Sequence, residues 1–153
     1  MKKILFLALC VVSTVFGANG VHRDGAKGIV IDTRTGLVWQ DNAAAATTTA
    51  TWANAITTCE NLVLGGYSDW RLPNINELKS IRDMSRSSPA IDTAFVNTAT
   101  DYYWSSTSVA TDSTYARLVS FYDNSSGGIH QISGVVDYRA KGNSYCVRCV
   151  RGN

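Results

Sequence analysis

Proline, histidine and methionine are scarce in this chain, with two of each in 153 residues. His22 and His130 are the only histidines, so a zinc site would be short of ligands. Charge is scarce as well. Only 17% of residues are charged, 14 basic against 12 acidic. A balance this even removes the global electrostatic case for nucleic acid or an anionic membrane surface. No apolar run reaches the roughly 20 residues that a membrane-crossing helix needs. No internal repeat is evident.

The longest apolar stretch is N-terminal. Met1-Lys2-Lys3 is followed by an apolar run from Ile4 to Phe16, interrupted by Ser13 and Thr14, and then by small residues. This tripartite order predicts a secretory signal peptide over residues 1–17, with cleavage after Gly17 and Val15 three positions before the cut. Leu9 before Cys10 does not fit a lipoprotein signal, so Cys10 is expected to leave with the leader. The expected product is exported, to the periplasm, the cell surface or the medium. Loss of Lys2 and Lys3 leaves twelve residues of each charge sign. The 136 residues from position 18 onward suit a single domain with a core of its own.

Three cysteines survive such processing: Cys59, Cys146 and Cys149. An oxidising compartment predicts one disulfide and one thiol left over. The Cys146-x-x-Cys149 spacing raises redox or zinc chemistry. Its setting, Tyr145-Cys146-Val147-Arg148-Cys149-Val150, reads instead as a strand, whereas redox pairs sit at helix N-termini that lower the thiol pKa. No metal site, cofactor or catalytic constellation is expected.

Residues 18–27 read as a polar lead-in, and the domain is expected over 28–153. Gly28 to Asp32 and Leu37 to Trp39 read as a hairpin around Thr33-Arg34-Thr35-Gly36. Asn42 to Ala50 is an Ala/Thr-rich loop or the start of the next helix. Trp52, Ala55, Ile56, Cys59, Leu62 and Val63 fall at helical spacing, predicting a helix from Thr51 to Val63 stopped by Gly65-Gly66. In Trp70-Arg71-Leu72-Pro73-Asn74-Ile75-Asn76-Glu77, Asn74 and Glu77 stand three apart, the spacing of a capping box. The helix they open is predicted to run to Met84, burying Ile75, Leu78 and Ile81, with Lys79, Arg82 and Arg86 outward. Ser85 to Thr100 looks irregular, with an apolar cluster of Ile91, Phe95 and Val96. Strands are predicted at Tyr102 to Ser106, Thr114 to Tyr122, Ile129 to Val136 and Ser144 to Arg151, with a turn over 123–128. The order indicates an α+β fold with an antiparallel sheet, two helices and a loop-rich region.

These pieces together resemble the Lcl C-terminal-like domain family, named for the tail domain of a bacterial collagen-like adhesin. The resemblance rests on Thr35-Gly36-Leu37-Val38-Trp39-Gln40-Asp41, Trp52, Cys59, Gly66 to Asn74 running into Glu77-Leu78, Tyr103 to Thr107, and Val147 to Arg151. It spans about Ile29 to Gly152. The Arg-Leu-Pro element with Glu77 and the closing Val-Arg are also similar to the formylglycine-generating enzyme and C-type lectin-like folds. That similarity implies terminal strands that pair, a loop-rich ligand region, and a disulfide from the first helix to the last strand, here Cys59–Cys149. Cys146 has no counterpart in the pattern and is expected as a free thiol or an intermolecular bridge. The lectin calcium-site triplets Glu-Pro-Asn, Gln-Pro-Asp and Trp-Asn-Asp do not occur. The adhesin domain is associated with sulfated glycans through a basic surface, which this balanced chain does not share.

The resemblance implies a non-enzymatic binding or adhesion module for a glycan or protein ligand. Tyr102, Tyr103, Tyr122 and Asn124 are candidate contacts, and Arg139, Lys141, Arg148 and Arg151 a candidate basic patch. Trp104 is expected in the core, and Trp70, Arg71, Pro73, Asn74 and Glu77 are read as a structural motif. The alternatives are an oxidase like the formylglycine-generating enzymes, which needs a reactive cysteine pair, and a structural subunit of a surface assembly linked through Cys146.

Overall fold

The structure is a computed structural model that describes residues 20–86, 88–122 and 136–152. The expected signal peptide, the turn at 123–128, the start of the strand at 129 and the candidate contact Asn124 lie outside the described residues.

Among the described residues nine strands form two sheets. The first contains β1 (Val21–Asp24), β2 (Ile29–Asp32), β3 (Leu37–Gln40) and β9 (Val150–Arg151), in that spatial order and all antiparallel. β1 lies within the predicted lead-in. Its sequence, Val-His-Arg-Asp, has one apolar residue and no alternation, so only its pairing with β2 reveals it. The predicted hairpin is β2–β3, closed by the Gly36 N–H donating to the Asp32 carbonyl at 2.9 Å. β3 then pairs with β9, which brings the last strand against the first hairpin.

The second sheet runs β4 (Thr49–Ala50), β8 (Tyr145–Cys146), β5 (Tyr102–Val109), β6 (Asp112–Ser120) and β7 (Val136–Ala140). Its pairings are antiparallel except β5 with β8, which is parallel at Tyr103 and Cys146. The sequence predicts one closing strand from Ser144 to Arg151. There are two, because the chain changes sheets between them across Val147, Arg148 and Cys149.

The helices are shorter than their apolar periodicity suggests. A single turn, α1 (Ala44–Thr47), occupies the Ala/Thr stretch. α2 (Trp52–Glu60) ends at an Asn61 C-cap, ahead of the predicted Val63. Gly65 and Gly66 do not cap it. They form a two-residue turn between the bridged Leu64 and Tyr67, with φ of 64° and 87°, values that favour glycine at both positions. α3 (Ile75–Ser80) begins as predicted. Asn74 Oδ1 accepts from the backbone of Asn76 and Glu77 at 2.9 Å each, and Glu77 Oε2 accepts from the Asn74 N–H at 2.8 Å. It stops before Arg82 and Arg86, which therefore lie outside the helix.

Adjacent strand residues point to opposite sides. Val30, Trp39, Tyr103, Val119 and Cys146 enter one apolar cluster, closed by Leu78 and Ile81 from the α3 segment and by Ile91 and Phe95. Ile29, Trp104, Leu118, Val147 and Cys149 enter a second, closed by Ala55 and Cys59 of α2 and by Trp70 and Leu72. Val96, predicted to join Ile91 and Phe95, is instead exposed. The Cys59–Cys149 disulfide lies inside the second cluster, with a Cα–Cα distance of 5.4 Å and a sequence separation of 90. Closing a loop of that length stabilises by about 2–4 kcal/mol through loss of denatured-state freedom.

Candidate binding face

The residues that carry the family resemblance are mostly occupied in holding the two sheets together. Gln40 Oε1 accepts the Cys149 N–H at 3.0 Å, and the Gln40 N–H donates to the Cys149 carbonyl at 2.9 Å. Arg71 pairs by backbone with Val150, and its guanidinium donates to both Glu77 carboxylate oxygens at 2.8 and 2.7 Å. Burial pushes the Glu77 carboxyl up, but the Arg71 and Asn74 hydrogen bonds outweigh it and hold the pKa below its ordinary value. Trp70, Leu72 and Pro73 are buried beside this pair.

Two predicted ligand contacts are corrected to internal roles. Arg148 has no solvent exposure. Its guanidinium donates to the carbonyls of Gln40 and Asn97, to Thr98 Oγ1 and to Asp41 Oδ1. Tyr103 is equally buried, with its hydroxyl donating to the Ala45 carbonyl at 2.9 Å and accepting the Ala99 N–H at 2.7 Å. Neither can reach a ligand while the core is intact.

The remaining three cations of the predicted patch do not form one surface. Arg151 belongs to β9 in the first sheet, where its guanidinium bonds Asp69 at 2.7 and 2.9 Å and lies 3.9 Å from the centre of the Tyr67 ring. Arg139 lies near the end of β7 in the second sheet, and Lys141 stands just past that strand, two residues on. Tyr122 is exposed just beyond β6, with its N–H donating to Ser120 Oγ at 3.1 Å.

Arg139 and Lys141 each sit over an aromatic ring. The Arg139 guanidinium carbon lies 5.2 Å from the centre of Tyr102, and Lys141 Nζ lies 3.8 Å from the centre of Trp52. Tyr145 meets Tyr102 edge-on at 5.8 Å and the buried Trp104 at 5.1 Å. Three different elements hold these rings. Trp52 opens α2, with its N–H donating to the Lys141 carbonyl and its Nε1 to the Ser105 carbonyl. Lys141 is fixed further by a 2.8 Å bond to Ser108 Oγ. Tyr102, Tyr145, Trp52, Arg139 and Lys141 are all half-buried. Burial works against the charge on Arg139, but Asp137 and the neighbouring tyrosines raise its pKa, so it stays cationic.

Tyr102, Arg139 and Lys141 are among the candidate contacts visible in the sequence, and Trp52 and Tyr145 are not. Trp52 fits the apolar stripe of α2, which reads as core. Its position at the first helical residue, at the edge of the core, is the signal that frees one side of the ring. Tyr145 gave no separate signal, because an aromatic residue in a short strand is read as core by default.

Cys146 is free, buried and three residues from a disulfide cysteine. Burial, with the Asp101 carboxylate adding to it, pushes its thiol up to about 11. Cys146 and Cys149 point into different apolar clusters. Among the described residues no group of three or more His, Cys, Asp or Glu side chains is placed to hold a metal ion.

The described residues form a disulfide-stapled α+β domain of two sheets, whose Gln40, Arg71, Glu77 and Arg148 are spent on internal bonds. Residues 28–151 match the family model of the Lcl C-terminal domain, and the chain belongs to that family. No curated protein matches it.

Proposed function

We propose that this chain is an exported, non-enzymatic binding or adhesion module that takes a glycan or protein ligand on the Tyr102–Arg139–Lys141–Trp52 face. One observation carries the reading: two cation–ring pairs from three elements converge half-exposed on one side of the second sheet. Half-buried rings with fixed cations offer apolar contact and directed donors together, at small entropic cost on binding. The leader-like N-terminus and the Cys59–Cys149 bridge support export, since such bridges persist in oxidising compartments.

The oxidase alternative needs two reactive thiols. Cys149 is bonded to Cys59, and the Cys146 thiol is buried with a raised pKa, which weighs against it. A covalent assembly through Cys146 meets the same burial. The test is binding of wild type and a Trp52→Ala, Lys141→Ala double variant to glycan arrays and to host-surface protein extracts, at low and high salt. The reading expects binding that the double variant loses. Binding that is unchanged in the variant would remove this face from the function. The mass of the protein recovered from the producing cells, beginning at Ala18, checks export.

A further inference from the structure

Among the described residues β7 is the end strand of the second sheet, with no strand on its far edge. Its backbone alternates between the two sides. The Lys141 N–H donates to the Thr114 carbonyl, and the register pairs Arg139 with Ala116 and Asp137 with Leu118. By antiparallel alternation those residues turn their N–H and C=O toward β6, and Tyr138 turns both of its groups outward. An outward pair in mid-strand is the usual point of attack for an added strand.

In the free chain both Tyr138 groups are taken by its two neighbours. The Tyr138 N–H donates to Asp137 Oδ1 at 2.8 Å, and the Tyr138 carbonyl accepts from Arg139 Nη1 at 3.0 Å. The same carboxylate and guanidinium also pair with each other. Side chains i−1 and i+1 thus clasp the backbone of residue i.

The sequence Val136-Asp137-Tyr138-Arg139-Ala140 is complementary to itself in the antiparallel sense. Pairing about a two-fold axis through Tyr138 sets Tyr138 against its own copy, so that the two clasped groups bond across the axis. It sets Asp137 of each copy opposite Arg139 of the other, and Val136 opposite Ala140. Opposite charges directly across a ladder are favourable and like charges are not. The ion pair that closes the edge in one chain therefore re-forms between two chains with no charge left over. A shift by one residue either way would lose that match.

We propose that β7 is a pairing edge for a second copy of this chain, with Asp137 and Arg139 acting as a latch in the monomer and as two interchain ion pairs in the dimer. Because each chain gives up internal bonds of the same kind, the association is weak and reversible, and it continues the second sheet across two copies.

The test uses the full chain as recovered from cells, with sedimentation equilibrium across a wide concentration range. Wild type is expected to show a monomer–dimer equilibrium. Asp137→Arg and Arg139→Asp, each alone, place like charges across the axis and are expected to be monomers at every concentration. An equimolar mixture of the two restores opposite charges at both positions and is expected to recover the dimer. Circular dichroism and an intact disulfide verify that the variants are folded. Wild type that stays monomeric throughout overturns the proposal, as does a dimer that survives either charge reversal. A mixture that stays monomeric also overturns it. Ligand binding at Trp52 and Lys141 is read separately, so failure of one does not imply failure of the other.

Discussion

Arg148 and Asp41 face each other in the core from positions 107 residues apart, and neither side chain has any exposure to solvent. The Asp41 carboxylate is shared. It also accepts from Arg23 Nε at 2.7 Å and from the backbone N–H groups of Val96 and Asn97. This network ties the first sheet, the irregular segment before β5 and the crossover between the sheets to one buried carboxylate. Arg148 additionally lies 4.8 Å from the centre of Phe95, so its charge is met by an aromatic face as well as by oxygens.

Replacing Arg148 by Met is expected to destabilise the domain by about 3 kcal/mol, because it leaves Asp41 buried with one cation fewer and strands the Asn97 carbonyl. Urea unfolding followed by tryptophan fluorescence measures it. A loss below about 1 kcal/mol would mean that the network has slack enough to repack.

The Arg71–Glu77 pair makes a pH prediction. The Glu77 pKa is held below its ordinary value in the fold, so the stability it contributes is present above the ordinary carboxylate range. That stability is lost as pH falls through the folded value. Glu77→Ala removes the capping partner and should cost about 1–2 kcal/mol at pH 7. The gap between variant and wild type should shrink at pH 3. A gap independent of pH would point to packing rather than charge.

The buried thiol of Cys146 predicts the opposite dependence. A folded pKa of about 11 lies above that of the unfolded thiol, so the folded state holds its proton longer. Stability should fall as pH rises above about 9, and Cys146→Ala should remove that part of the slope. Native protein should resist alkylation at Cys146 at pH 8 and react once denatured. Rapid alkylation of the native protein would contradict the burial.

The disulfide is expected to contribute about 2–4 kcal/mol, read by comparing wild type with a Cys59→Ala, Cys149→Ala double variant in urea. Reduction without mutation should give the same change. If reduction destabilises much more than the double variant, the reduced thiols themselves clash with the core.

Arg151→Ala provides a contrast for the binding face. Arg151 is engaged with Asp69 and Tyr67 on the first sheet, so its loss should leave ligand binding within about twofold of wild type. Lys141→Ala should weaken binding severalfold. Equal effects would favour a single basic surface spanning both sheets.

Features written in neighbouring residues could be read in advance. The Asn74–Glu77 capping box and the hairpin around Gly36 are local, and the chemistry that makes them is contained within a few positions. The Cys59–Cys149 bridge came from family pattern, since three cysteines alone leave the pairing open. The fate of Arg148 was not legible. A cation is read as surface by default, and its oxygens come from Gln40, Asp41 and Asn97, far away in sequence. The change of sheet at Val147 to Cys149 was hidden for a similar reason, because both halves of Tyr-Cys-Val-Arg-Cys-Val favour strand. The proposed face is half in view in the sequence: its tyrosine and cations stand out, but Trp52 fits the interior stripe whose edge it occupies.

The bond from Cys59 to Cys149 has a mechanical consequence. Tension applied at Gly20 and Gly152 would travel along the chain to Cys59, cross the disulfide and leave through β9, bypassing everything between. Under oxidising conditions only the segments 20–59 and 149–152 can be drawn out, roughly 150 Å of contour at about 3.5 Å per residue. The second sheet sits off the load path apart from the two residues of β4, so Tyr102, Arg139 and Lys141 of the proposed face are spared, whereas Trp52 at the start of α2 lies on it. Pulled at those two residues, the oxidised domain would unravel everything from β1 to α2 and part Trp52 from Lys141, while the Tyr102–Arg139 pair stayed in place. After reduction the same pull would reach every residue.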